Sequence, residues 1–382
     1  MKICGIICEY NPLHNGHKKQ LTLVRERIGA EGGIVCLMSG SFVQRGAPAI
    51  FDKSIRAEVA VRCGADLVLE LPVPYVLSSA EGFAAGGVSI LSKFCDSLCF
   101  GAENADKNAL MEMGEALLSP AFPDALRVYL DAGLSFPVAR QKALYDMGLN
   151  ASLLETPNNI LAIEYCKAIL SQKSNMTPLP ISRAGSYHSI APNQENPSAT
   201  FLRQQLLKSE AWESFVPEEA TDLFAAAPLH SLNFGERAIL AKLRTMPEEA
   251  FKSLPGGSEG LWRKCMHAAR QCATLEEIAS AVKSKRYTRT RIDRMLLCAF
   301  LGITEEMLHA PIPYVRVLAL NDRGREILKL ARASGDFVNA GEARQGAYAD
   351  LEMRCGSLYG LFAEDIIESP DTEQTRRIRY IK

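Results

Sequence analysis

Over roughly its first 100 residues the chain alternates short apolar runs with amphipathic stretches, and this alternation restricts the fold more than any other feature. Such a pattern builds βα units, whose strands are buried on both faces and pair in parallel. Ile3 to Cys8 reads as the first strand, and Leu21, Val24 and Ile28 recur as one face of the helix that follows. Ile34 to Met38 is the second strand. Asp52 caps a helix carrying Ile55 and Val59 that stops near Gly64, Leu67 to Leu71 is the next strand, and Ser97 to Phe100, closed by Gly101, is the fourth. The expected fold class is α/β, a Rossmann-like parallel sheet.

Residues 107–172 read as helical throughout, with Leu110, Met113 and Leu117 on one face, and form an insertion or a cap. Leu179 to Ser182 is a returning strand, Gly185 to Pro197 an exposed polar loop, and Ser198 opens a helix carrying Leu202 and Leu206. Beyond about residue 212 the chain reads as consecutive helices to Leu308, then a strand-like Val315 to Leu320 and a helix from Arg323 to Arg332. Two units are expected: a nucleotide-binding domain over residues 1–212 and a mainly helical C-terminal region over 213–382. With 47% apolar and 23% charged residues the composition excludes global disorder, collagen and a coiled-coil rod. The 11 cysteines, an odd number lying mostly in apolar runs, read as buried reduced thiols. The N-terminal stretch lacks the features of a secretory signal, and no apolar run approaches the roughly 20 residues of a bilayer span. A cytoplasmic protein without membrane contact is expected.

The chemistry concentrates in Glu9-Tyr10-Asn11-Pro12-Leu13-His14-Asn15-Gly16-His17, between the first strand and the first helix. A helix N-terminus after a central parallel strand presents unpaired backbone N–H groups and a partial positive charge, which is where α/β folds hold phosphate. Two imidazoles there can donate to phosphate oxygens, and Gly16 lets a base or ribose approach the backbone. Donors are what the site needs, since charge grows on the α-phosphate of a nucleotide as a nucleophile attacks it. Two solvent-facing histidines in a loop would be the plain alternative, but two of the chain's 6 histidines stand within these four residues in a strand–loop–helix context. A zinc site lacks a third ligand, with Glu9 on the strand side. Arg183, after a strand, can clamp a phosphate. Lys53 and Arg56 either add positive charge or line a solvated face.

A second constellation runs from Lys283 to Arg294, with six basic residues and one acidic residue in a chain whose net charge is -1. Lys285, Arg286, Arg289, Arg291 and Arg294, interleaved with Tyr287 at a helix start, suit RNA phosphates and an unstacked base. Arg376, Arg377, Arg379 and Lys382 could extend the patch.

His14-Asn15-Gly16-His17 resembles the HxGH signature of the nucleotidylyltransferase superfamily, and the block Glu9 to His17 is similar to its branch of tRNA(Met) cytidine acetate ligases. Matching blocks continue at Ser39 to Gly46, Gly64 to Pro72, Thr156 to Leu161 and Ile181 to Gly185, so the resemblance covers nearly the whole chain. It implies activation of acetate by ATP to acetyl-adenylate, Mg2+ accompanying the nucleotide, then acetylation of N4 of the wobble cytidine of elongator tRNA(Met). The catalytic pair would be His14 and His17. The ATP site would draw on Ile7, Cys8, Glu9, Tyr10, Asn11, Pro12, Leu13, His14, Asn15, Gly16, His17, Lys18, Lys19 and Gln20, on Gly101, on Asn158 or Asn159, and on Arg183. Ser198, Thr200 and Arg203 look like a degenerate second phosphate motif, Ser198 capping a helix while Thr200 and Arg203 face the polyphosphate. The chain departs from the family pattern at Leu13 (commonly Phe), Ser41 (commonly Asn) and Ala162 (commonly Gly), and Ser41 removes any side-chain amide contact there. The rival readings are an adenylyltransferase for a small cofactor precursor and a noncatalytic, nucleotide-gated RNA-binding protein.

Overall fold

The apolar run Ile3–Cys8 becomes the central strand β1 of the main sheet in the computed structural model, which describes residues 1–182, 198–258, 260–367 and 372–382. It is followed by α1 (Asn15–Ile28), β2 (Gly33–Ser39), a hairpin of β3 (Phe42–Val43) and β4 (Ala47–Pro48), α2 (Lys53–Arg62), β5 (Leu67–Leu71), α3 (Val73–Val76), α4 (Ala80–Leu91) and β6 (Ser97–Ala102). Helices α5 (Lys107–Leu118), α6 (Phe122–Asp131), α7 (Phe136–Asp146) and α8 (Pro157–Ser171) precede β7 (Thr177–Ser182). Then come α9 (Ala199–Leu207), α10 (Glu218–Ala225), α11 (Leu232–Thr245), α12 (Glu248–Lys252), α13 (Leu261–Gln271), α14 (Leu275–Val282), α15 (Arg289–Leu301) and α16 (Glu305–His309). The chain closes with β8 (Val315–Leu320), α17 (Asp322–Arg332), β9 (Phe337–Asn339), α18 (Ala347–Tyr359), α19 (Thr372–Thr375) and β10 (Arg379–Tyr380).

The expected parallel sheet is present, with strand order β10-β8-β5-β2-β1-β6-β7 and β9 beside β8. Among the described residues of this sheet, only the β5–β8 pairing is antiparallel. The winding reverses at β1: β2 and β5 lie to one side of it, β6 and β7 to the other. Side chains alternate across β1, so Ile3 and Ile7 join one apolar cluster with α4 and α8 while Cys4 and Ile6 join another with α1 and α2. A third cluster unites α11, α13, α14 and α15 with Phe42 of the hairpin and Leu77. All 11 cysteines are free thiols. Among the described residues no helix is long and apolar enough to cross a membrane.

Two sequence expectations meet a different arrangement. The sheet does not end at residue 212, because Val315–Leu320 is buried along its whole length and pairs with β5, bringing β9 and β10 with it. Lys53 and Arg56 do not line a solvated face, being 2% and 0% exposed. Lys53 Nζ donates to Glu70 at 2.7 Å and to Glu373 at 2.8 Å, and Arg376 pairs with Asp52 at 2.7 Å. The C-terminal segment therefore locks the start of α2, and Arg376 belongs to this buried lattice rather than to a basic surface.

Burial alone would raise the Asp52 carboxyl, but the charge and hydrogen bonds of Arg376 outweigh it and hold the group well below the usual carboxylate range. A depressed folded-state pKa gives stability above the ordinary value of 3.8, lost as pH falls below it. Asp52→Asn, which keeps an N-cap oxygen for Ser54, should thus flatten the decline of Tm between about pH 4 and pH 2. An unchanged acid limb in thermal melts would show that the pair contributes nothing there.

Candidate active site

In open α/β sheets ligands lie outside the carboxyl ends of the strands where the winding reverses, and the end of β1 is that place here. The chain leaves β1 through Tyr10 at φ 43° and a cis Asn11–Pro12 bond, then enters α1 with His14 as its extended N-cap. Four contacts fix this turn. Glu9 O accepts from Arg56 Nη1 at 2.6 Å, Glu9 Oε1 accepts from the Gln44 backbone N–H at 2.7 Å, Asn11 Oδ1 accepts from the Ile50 N–H at 2.7 Å, and Asn11 O accepts from Arg203 Nη1 at 2.7 Å.

His14 is 1% exposed, which disposes of a loop with two solvent-facing histidines. Its ring stacks on His17 with centroids 3.7 Å apart and planes at 21°, and the Tyr10 ring lies 5.1 Å from His17. The His14 backbone N–H donates to His17 Nδ1 at 3.3 Å. With Nδ1 accepting, the neutral His17 ring carries its proton on Nε2 and can donate it to a phosphate oxygen.

Arg56 organises the floor. Its Nε donates to Phe51 O at 2.9 Å, Nη1 to Glu9 O at 2.6 Å and Ser39 O at 3.1 Å, and Nη2 to Gly40 O. One guanidinium thereby ties the exit of β1 to the exit of β2. Sequence reasoning missed this, although Lys53, Arg56, Ala57 and Ala60 recur at i, i+3, i+4 and i+7, the spacing of a buried stripe.

Across the reversal, Gly101 lies in β6, paired with Ile181 of β7. The exit of β6 is pinned by Glu103, another residue the sequence reading passed over. Its carboxylate accepts from Asn158 Nδ2 at 2.6 Å, Thr156 Oγ1 at 2.9 Å and the Asn159 N–H at 2.9 Å. Partial burial opposes the charge, but these donors, Asn158 foremost, hold the Glu103 carboxyl below its ordinary value. Asn159 is 3% exposed and its Oδ1 accepts from the Asn104 N–H at 3.0 Å, whereas Asn158 is half-buried. The two asparagines therefore separate: Asn159→Ala should lower Tm most, and Asn158→Ala, which removes the foremost donor to the partly exposed Glu103, should lower Tm less and weaken ATP binding in calorimetry. A reversed pattern would assign the nucleotide contact to Asn159.

The start of α9 reaches the same turn. Ser198 Oγ accepts from the Phe201 N–H at 3.1 Å, and Arg203 Nη2 donates to Thr200 Oγ1 at 3.1 Å while Nη1 holds Asn11 O. Arg183 lies outside the described residues. Within the first helix Lys18 turns to Glu219 at 2.6 Å, Asn15 Nδ2 donates to Ser214 O at 3.1 Å, Gln20 approaches Cys99 Sγ at 3.6 Å, and Lys19 is exposed.

The basic segment is arranged differently from the sequence expectation. Tyr287 is 3% exposed, so its ring supports the fold rather than stacking a base. Arg289 pairs with Asp293 at 2.8 Å and Glu276 at 2.7 Å, Arg291 grips Gly256 O at 2.7 Å, and Arg294 approaches Gln44 O at 3.4 Å. Lys285 and Arg286 face outward. The hairpin links this region to the motif, since a Cβ on Gly46, at φ 77°, would stand 2.5 Å from Arg294 N, while Gln44 beside it holds Glu9.

The family model described as HIGH Nucleotidyl Transferase matches residues 1–374. The tRNA(Met) cytidine acetate ligase of Alkaliphilus metalliredigens is 38% identical, over 94% of this chain and 94% of its own. That of Clostridium tetani is 35% identical, over 96% of this chain and 97% of its own. The chain belongs to the tRNA(Met) cytidine acetate ligase family. The fold agrees with that assignment: the crystal structure of Thermotoga maritima TmcAL in its apo form superposes with a TM-score of 0.91 at 29% identity, covering 100% of both chains. The same enzyme bound with alpha-thio ATP gives 0.88, again over 100% of both chains. In this chain of the family, the reversal of strand order coincides with the turn that holds His14 and His17.

Proposed function

We propose that the protein is an ATP-dependent ligase that activates acetate as acetyl-adenylate and acetylates N4 of the wobble cytidine of elongator tRNA(Met). The observation that carries this reading is the stacked His14–His17 pair at the N-terminus of α1, held at the sheet reversal in a chain related over almost its whole length to ligases of that name. An acetate oxygen attacks the α-phosphorus of ATP, the bond to the bridging oxygen breaks, and its electron pair leaves with pyrophosphate. His17 Nε2–H and the backbone N–H groups of α1 stabilise the charge that builds on the α-phosphate. Cytidine N4 then attacks the acetyl carbonyl, AMP leaves, and N4 loses a proton. Arg203 and Asn158 border the nucleotide in this scheme, and α5 to α8 serve as the cover that keeps water from the mixed anhydride. Mg2+ would accompany the nucleotide as its counterion. A small-cofactor adenylyltransferase would leave the helices from α11 to α15 without a task.

Exchange of labelled pyrophosphate into ATP tests the first step. Acetate should be required for it, and a requirement for a small alcohol or phosphate ester instead would support the cofactor adenylyltransferase.

A further inference from the structure

The most sharply two-faced surface helix of the C-terminal region is α13. Leu261, Cys265, Met266, Ala268 and Ala269 are buried on one side. Arg263, Lys264, His267 and Arg270 are exposed on the other, at i, i+1, i+4 and i+7, and the helix contains no acidic residue. The strip continues at both ends. Arg244 Nη2 donates to Cys272 O at 2.9 Å just beyond the helix, and Lys264 Nζ lies 5.4 Å from the buried Tyr287 ring, next to the segment that exposes Lys285. The acidic residues that follow α13 are engaged elsewhere, Glu276 with Arg289 at 2.7 Å and Glu277 with the Ala273 N–H at 2.7 Å.

We propose that the exposed face of α13 holds the phosphates of the RNA substrate, a placement that rests on the tRNA reading above. A helix of 11 residues is about 16 Å long, so its charges suit an extended polyanion rather than one nucleotide. Arg289, Arg291 and Arg294 each hold an internal partner and so help to position this surface. Buried residues of α13 and α15 share one apolar cluster with Phe42 of the hairpin that holds Glu9, so the strip stands at a fixed distance from the reaction centre.

The test uses the full chain carrying Arg263→Ala, Lys264→Ala and Arg270→Ala, beside a charge-matched control with Lys93→Ala, Arg325→Ala and Lys329→Ala. tRNA affinity is measured against salt concentration, and pyrophosphate exchange is measured in parallel. Each lost phosphate contact lowers the salt slope by about 0.7 to 0.9, so the α13 variant should lose about 2 from its slope and at least tenfold in affinity at low salt. Exchange should be unchanged, and the control should match wild type. A wild-type slope in the α13 variant, or an equal loss in the control, would overturn the placement while leaving the tRNA reading intact. If the wild-type protein itself binds no tRNA, the tRNA reading fails first.

Discussion

His17→Ala is expected to slow adenylate formation by about 30- to 1,000-fold, corresponding to about 2 to 4 kcal/mol of lost transition-state stabilisation. The size follows from how the imidazole is held. His14 N–H occupies Nδ1, the His14 ring stacks on it at 3.7 Å and Tyr10 backs it at 5.1 Å, so Nε2–H is oriented before the nucleotide arrives. A donor oriented in advance acts most where charge develops, so affinity for ATP should fall much less than the rate. Pre-steady-state adenylation beside ATP titration separates the two. Equal losses in both would make the imidazole a ground-state ligand only, and full activity would remove it from the site.

Arg56→Met should have an effect of similar size, on folding as well as on rate. It leaves the carbonyls of Glu9, Ser39, Gly40 and Phe51 without their common donor in a site of 0% exposure. Removing one partner of a buried charged network costs about 3 to 5 kcal/mol, well below the sum over its separate hydrogen bonds because contributions within one network do not add. Arg56→Lys keeps the charge but not the fork, and should fold while forming adenylate slowly, because the exits of β1 and β2 are no longer tied. Denaturant unfolding and pyrophosphate exchange read the two effects. Wild-type stability in the Met variant would show that the carbonyls find other donors.

The parallel sheet was legible because its strands are mostly apolar runs: Ile3–Cys8, interrupted by Gly5, and Leu67–Leu71, interrupted by Glu70, stand where the sequence places them. The motif was legible for the same reason, as the turn between such a run and a helix. What the sequence hid is long-range pairing of polar groups. Lys53 and Arg56 look solvated because a charged side chain usually is, and only Glu70, Glu373 and the carbonyls at the strand ends, distant in the chain, reverse that. Tyr287 looks like an RNA-facing aromatic until Lys264 and Arg291 are seen over its ring, at 5.4 and 5.6 Å. Val315–Leu320 has the composition of a buried strand, but its partner β5 lies more than 240 residues earlier, and nothing local names it.

In the proposed reaction a carboxylate activated at the His14–His17 turn is delivered to RNA. The direct measurement supplies purified protein with ATP, magnesium, labelled acetate and tRNA(Met), and follows label, AMP and pyrophosphate together. Label should enter the tRNA as N4-acetylcytidine without acetyl-CoA, with one AMP and one pyrophosphate released per acetyl group. Label that reaches the tRNA only from acetyl-CoA, or ATP consumed without pyrophosphate release, would contradict the account.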